Sequence, residues 1–129
     1  MGDIPRGNRP LSPFMIGPYY RLQITSISSI MVRITGIALM GAVCLVVAWL
    51  LAAASSETAF GVVDGLLRSF VGDIVMFLAT WALWYHALGR LRHVVWDFGY
   101  CLNIETAQKL GWGMFAGATV LAVLTAIVF

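Results

Sequence analysis

The stretch Ile34–Ala54, ITGIALMGAVCLVVAWLLAAA, decides the fold. It runs 21 residues without a charge, and roughly 20 mostly apolar residues are what a helix needs to cross a bilayer. Two other stretches repeat the pattern. Leu110–Phe129 is uncharged throughout, and Ile74–Gly89 is an uncharged run of 16 residues bounded by Asp73 and Arg90. The middle run is short, so its ends rely on snorkelling side chains or on neighbouring protein. None of the three alternates polar with apolar residues, which excludes barrel strands. Lipid satisfies no backbone polar group, so helices remain. The sequence predicts an all-α membrane protein with three transmembrane helices over 30–54, 70–93 and 108–129, preceded by a tail and interfacial segment over 1–29.

Composition agrees. Of the 129 residues, 60% are hydrophobic and 11% charged, and mean hydropathy is +0.89. A soluble domain is about 45–50% apolar and about 25% charged, so a small soluble enzyme, a disordered chain and a nucleic-acid reader are excluded. Two cysteines make no disulfide framework. A cleaved signal has a shorter apolar run nearer the start, so the first span reads as a retained helix.

Basic residues set the expected orientation. Arg6, Arg9, Arg21 and Arg33 precede the first span, and Arg90, Arg92 and Lys109 flank the second connection. The first connection holds only Arg68, and nothing basic follows the third span. The N-terminus is expected in the cytoplasm and the C-terminus in the periplasm, or in the equivalent compartments of a mitochondrion. Pro5, Pro10, Pro13 and Pro18 disfavour helix in the tail. Tyr19 and Tyr20 suit the headgroup level, and Thr25, Ser26, Ser28 and Ser29 offer caps for the first helix. Glu57, Asp64 and Asp73 read as an outer loop, and Cys44 as an apolar filler in mid-span.

Polar groups inside a membrane segment are costly and usually functional. His86, Arg90, His93 and Asp97, spaced +4, +7 and +11, fall within about 60° of one another on a helix. An intramembrane histidine can bond a neighbouring helix, relay protons or ligate a haem iron. His86 and His93 lie about 10 Å apart on one face, so they cannot both bind one iron, and the chain has no third histidine. Any second ligand comes from another polypeptide or from Met31, Met40 or Met114. Ser26, Ser29, Arg33 and Gly36 form a second stripe at +3, +7 and +10. It is either a snorkelling anchor or a cation and hydroxyl able to bind a quinone carbonyl and stabilise its reduced anion. Gly89 beside the first stripe would let a flat ligand or a helix approach closely.

Three segments resemble the cytochrome b membrane-anchor subunits of succinate dehydrogenase, respiratory complex II, in particular the first of the two anchors. Arg9-Pro10-Leu11-Ser12-Pro13 is similar to the family's RPLSP. Ser29 to Gly36 is similar to S-I-x-H-R-x-T/S-G. His86 to Asp97 is similar to H-x-x-x-G-I-R-H-L-x-W-D. The resemblance implies half of a heterodimeric helical anchor bundle, with one haem b shared with a second membrane-anchor subunit and His86 as the axial ligand. It implies ubiquinone at Ser29 and Arg33, near the iron–sulfur subunit, and Arg33 and His93 near the haem propionates. FAD and iron–sulfur clusters are implied only in the flavoprotein and iron–sulfur partner subunits, which oxidise succinate. This chain supplies no catalytic residue in that scheme. Protons would enter along His93 and Asp97.

Three positions depart from the family pattern. Val32 replaces a histidine, Arg90 stands where a glycine is usual, and Phe14 replaces the histidine after RPLSP. Arg90 is therefore expected to take over the propionate contact that Val32 cannot make. The alternatives are the anchor of a quinol:fumarate reductase, a haem-free structural anchor, and a small transporter subunit.

Overall fold

The computed structural model describes residues 20–128, and the RPLSP segment, Phe14 and Tyr19 lie outside it. The described residues form four helices: α1 (Ile24–Ser55), α2 (Glu57–Leu67), α3 (Phe70–Asp97) and α4 (Ile104–Val128). The three long ones have 32, 28 and 25 residues, hence lengths of about 48, 42 and 37 Å. Each exceeds the hydrocarbon thickness of about 30 Å. The chain is an integral membrane protein.

Two boundaries differ from expectation. Helix α1 starts at Ile24, six residues before the span predicted from residue 30, and its N-cap is Gln23 with no side-chain cap bond. The hydroxyls expected to cap it turn back instead. Ser26 Oγ donates to the Gln23 carbonyl at 2.8 Å and Ser28 Oγ to the Thr25 carbonyl at 3.0 Å. The expected outer loop is the short helix α2. Ser56 caps it by accepting from the Ala59 N–H, and Ser69 caps α3 by accepting from the Gly72 N–H. Asp64 binds rather than merely being solvated, since it accepts from Trp49 Nε1 at 3.1 Å and pairs with Arg68 at 2.9 Å. Gly72 is required by the tight α2–α3 turn, because a Cβ there would collide with the Leu66 and Leu67 carbonyls.

At its far end α3 stops in a Schellman motif. Gly99 adopts φ +78°, its N–H bonds the Trp96 carbonyl at 2.8 Å, and the Tyr100 N–H bonds the Val95 carbonyl at 3.2 Å. The chain then turns back into α4.

Helix α3 lies between α1 and α4. Small residues allow close approach of the helices: Gly89 and Ala82 on α3, and Gly111, Ala118 and Ala122 on α4, are buried. Val32, Tyr85, Met114 and Ala118 form the core. Two indole–hydroxyl bonds tie α3 to α4, from Trp81 Nε1 to Thr119 Oγ1 at 3.1 Å and from Trp84 Nε1 to Thr125 Oγ1 at 3.0 Å. The outer surface is apolar, as a bilayer requires. Cys44 lies on that surface rather than filling the interior.

Candidate functional site

Beside the α1–α3 contact, towards the end of the bundle where α1 begins and α3 ends, a cleft of about 370 Å³ opens. Its walls are Ser29, Val32, Arg33, Gly36, Ile37 and Met40 from α1, and His86, Arg90 and His93 from α3. The two sequence stripes thus face each other across one cavity. Ser26 and Asp97 do not line it, and Asp97 is exposed at the last residue of α3.

His86 is half-buried, and its orientation is fixed by a backbone atom. Nδ1 lies 3.0 Å from the Val32 carbonyl. A carbonyl only accepts, so Nδ1 carries the proton and Nε2 keeps its lone pair. That lone pair accepts from Arg90 Nε at 3.2 Å. Gly36 makes room for the ring, because a Cβ there would lie 3.0 Å from His86 Cε1. His93 follows the same rule. Its Nδ1 donates to the Gly89 carbonyl at 2.8 Å, which leaves Nε2 available.

Val32 carries two contacts at once. Its carbonyl fixes the His86 ring, and its side chain is buried against Gly89, where a Cβ would sit 2.5 Å from Val32 Cγ2. Gly89 therefore serves close helix packing inside this chain. Met114 packs at the same point, 3.1 Å from that Cβ position, while Met31 packs against the core and Met40 lines the cleft.

Behind the cleft is a polar cluster that the sequence pattern does not single out. Arg92 Nη1 donates to Ser28 Oγ at 2.8 Å, and Tyr85 Oη donates to the Ser28 carbonyl at 3.2 Å. The Arg92 guanidinium lies 4.6 Å from the Trp96 ring centre. Ser28 and Tyr85 are fully buried and Arg92 is 4% exposed. Arg92 is six residues from His86, which turns it about 120° away from the stripe. A search for one polar face passes over it, although a second charge two residues from Arg90 is a signal that two faces are polar. Among the described residues no cluster of three metal-ligating side chains occurs, so His86 stands as a single imidazole.

Residues 5–125 match the succinate dehydrogenase/fumarate reductase transmembrane subunit family. The chain belongs to this family. This transmembrane subunit is 50% identical over 129 residues to the succinate dehydrogenase cytochrome b556 subunit of Paracoccus denitrificans, covering 100% of this chain and 98% of the relative. It is 34% identical over 127 residues to the succinate dehydrogenase cytochrome b560 subunit of Reclinomonas americana, covering 95% and 87%. To the cytochrome b556 subunit of Rickettsia conorii it is 33% identical over 116 residues, covering 90% and 89%. Within the transmembrane subunit, these matches span α1 to α4 and so include both walls of the cleft.

Proposed function

We propose that this chain is the membrane-anchor, haem b-binding cytochrome subunit of a succinate:ubiquinone oxidoreductase, passing electrons from succinate oxidation to membrane ubiquinone. The observation that carries the reading is His86: an imidazole oriented by a backbone carbonyl, with its second nitrogen on a cleft rimmed by guanidinium groups. An N–H held by a carbonyl is the usual outer-shell partner of a metal-bound histidine. The names of the relatives favour succinate oxidation over the reverse reaction.

The donor set fits a haem. His86 would hold the haem iron through its neutral imidazole nitrogen, and any further ligand would have to come from outside the chain, from the second anchor subunit. Arg33 and Arg90 would supply the cations that propionate carboxylates need, with His93 as a polar neighbour. Ligation requires Arg90 to release His86 Nε2, which frees its guanidinium for a carboxylate. When bound, the haem supplies reversible one-electron storage.

The rest of the cleft suits a quinone head. Ser29 is exposed on the cleft wall while Ser28 takes the inward hydrogen bonds, so the Ser29 hydroxyl is placed to donate to a quinone carbonyl oxygen. Arg33 favours the reduced anionic form by charge. Ile37 and Met40 keep that end of the cleft apolar. His93 Nε2 can carry a proton to it, with Asp97 at the solvent end of α3 as the entry point. In this reading the basic end faces the cytoplasm, where the iron–sulfur and flavoprotein subunits dock with their clusters and FAD.

The test is a reduced-minus-oxidised visible spectrum of the complex purified in mild detergent. A haem b band is expected in the parent and absent in His86→Ala, with the partner subunits still copurifying. A parent complex that copurifies with its partners but lacks a haem b band would overturn the reading.

A further inference from the structure

We propose that the groove between α3 and α4, at the basic end of the bundle, is a binding site for an anionic phospholipid whose phosphate neutralises Arg92. This site lies apart from the cleft of His86 and does not depend on what that cleft binds.

Arg92 is electrostatically unbalanced. Arg92 is 4% exposed, and its Nε finds no hydrogen-bond partner. Its surroundings are neutral: the Ser28 hydroxyl, the Trp96 face and the Tyr85 ring. Among the described residues the only ion pairs are Arg68–Asp64 and Lys109–Glu105, so no carboxylate meets Arg92. Removing an ion from water without a counter-charge costs several kcal/mol in real proteins, and buried charges are accordingly paired. The missing anion has to come from outside these residues.

The groove shows from where. It has a volume of about 320 Å³ and is lined by Arg92 and Lys109 among the apolar Leu88, Leu91, Val95, Leu110 and Met114, with Gly113 exposed on its α4 wall. The α3 residues that line it span seven positions, about 10 Å along the helix axis, so it runs parallel to lipid chains. Its polarity is graded. Lys109 is largely exposed and Arg92 is buried, while Leu88 and Leu91 lie further from the basic end along α3. Lys109 is already paired with Glu105 at 2.9 Å, both largely exposed, which leaves Arg92 as the charge to be met. A phosphodiester suits a guanidinium, which binds phosphate oxygens through parallel N–H donors. Basic pockets between membrane helices on the cytoplasmic side are where anionic headgroups bind. A free phosphate would satisfy Arg92 but gain nothing from the apolar walls, so the lipid is favoured.

The experiment uses the assembled complex, stripped with detergent and reloaded from micelles containing phosphatidylglycerol or phosphatidylcholine. Retained lipid is counted by native mass spectrometry. Phosphatidylglycerol should be retained over phosphatidylcholine, and Arg92→Gln should weaken its retention by about tenfold or more, with Arg92→Lys intermediate. Arg92 also holds Ser28, so a second variant protects the test from misfolding. A Cβ at Gly113 would meet nothing within 4 Å, so Gly113→Leu fills the groove without touching the cluster, and it too should lose the lipid. Equal retention by parent and Gly113→Leu overturns the proposal. So does equal retention of the two lipids, displacement by millimolar inorganic phosphate, or a Gly113→Cys cross-link to a partner polypeptide in the parent-like complex.

Discussion

Gly89→Ala places a methyl group against Val32 at the α1–α3 contact. The added Cβ would lie 2.5 Å from Val32 Cγ2 and 3.1 Å from Met114 Cε. Met114 can bend away, but Val32 is β-branched in a helix and its χ1 is nearly fixed. The two helices must therefore separate. Alanine in place of glycine stabilises a helix interior by about 0.5–1 kcal/mol, while overpacking a core costs about 1–3 kcal/mol. The expected net loss is about 1–2 kcal/mol. Separation also draws the Val32 carbonyl away from His86 Nδ1, now 3.0 Å distant, so the imidazole should lose its fixed orientation. Gly61→Ala in the exposed helix α2 is the control, since nothing lies within 4 Å of its Cβ. The assay is the half-inactivation temperature of the purified complex, with the visible spectrum as a second readout. Gly61→Ala should match or exceed the parent, and Gly89→Ala should fall below it. Val32→Ala combined with Gly89→Ala should recover, because contacting residues are not additive. If Gly89→Ala ranks with Gly61→Ala and the double variant adds simply, the reasoning about this contact is refuted.

Other substitutions probe separate parts of the molecule. Arg33→Ala should lower succinate–ubiquinone reductase activity by about a hundredfold, while succinate oxidation with a soluble artificial acceptor persists; equal loss of both would count against a quinone site there. Arg90→Leu should shift the haem reduction potential, measured by spectroelectrochemical titration, and an unchanged potential would remove Arg90 from the haem's surroundings. Tyr85→Phe deletes the donor to the Ser28 carbonyl and should cost about 0.5–1.5 kcal/mol, read as a lowered half-inactivation temperature with the visible spectrum intact. Asp64→Asn removes the charge from an ion pair exposed only on its Arg68 side and weakens the Trp49 bond, and should cost about 1 kcal/mol; a much larger thermal loss would mean that α2 supports the bundle more than this pair suggests.

The three long helices are legible because each carries enough consecutive apolar residues to cross a bilayer, a property of composition along the chain. The cleft is legible for a related reason. Ser29, Arg33 and Gly36, and likewise His86, Arg90 and His93, recur at helical spacing, and polar groups at that spacing in a membrane segment need a common destination. Helix α2 is hidden because its charges, Glu57 and Asp64, resemble loop composition, and its stability comes from the Ser56 cap and from Asp64 binding Trp49, contacts between separate stretches. The start of α1 departs from expectation because Ser26 and Ser28 are good caps in isolation, yet here their hydroxyls bond carbonyls one turn back. Gly89 reads in sequence as a place where a flat ligand or a helix comes close, and the structure shows the helix, with Val32 filling the space beside it; which residue stands opposite is a pairing of two distant positions that no local pattern encodes. Arg92 is legible as an orientation charge and as part of the His86–Asp97 motif, but its burial is not, because it faces away from the stripe.

The hold on His86 by a main-chain oxygen has an evolutionary consequence. Every amino acid at position 32 presents the same carbonyl, so aiming the imidazole places no demand on the side chain there. What it cannot do is change bulk alone, since Gly89 leaves a recess shaped to what stands opposite. Volume at 32 should therefore change only in step with 89.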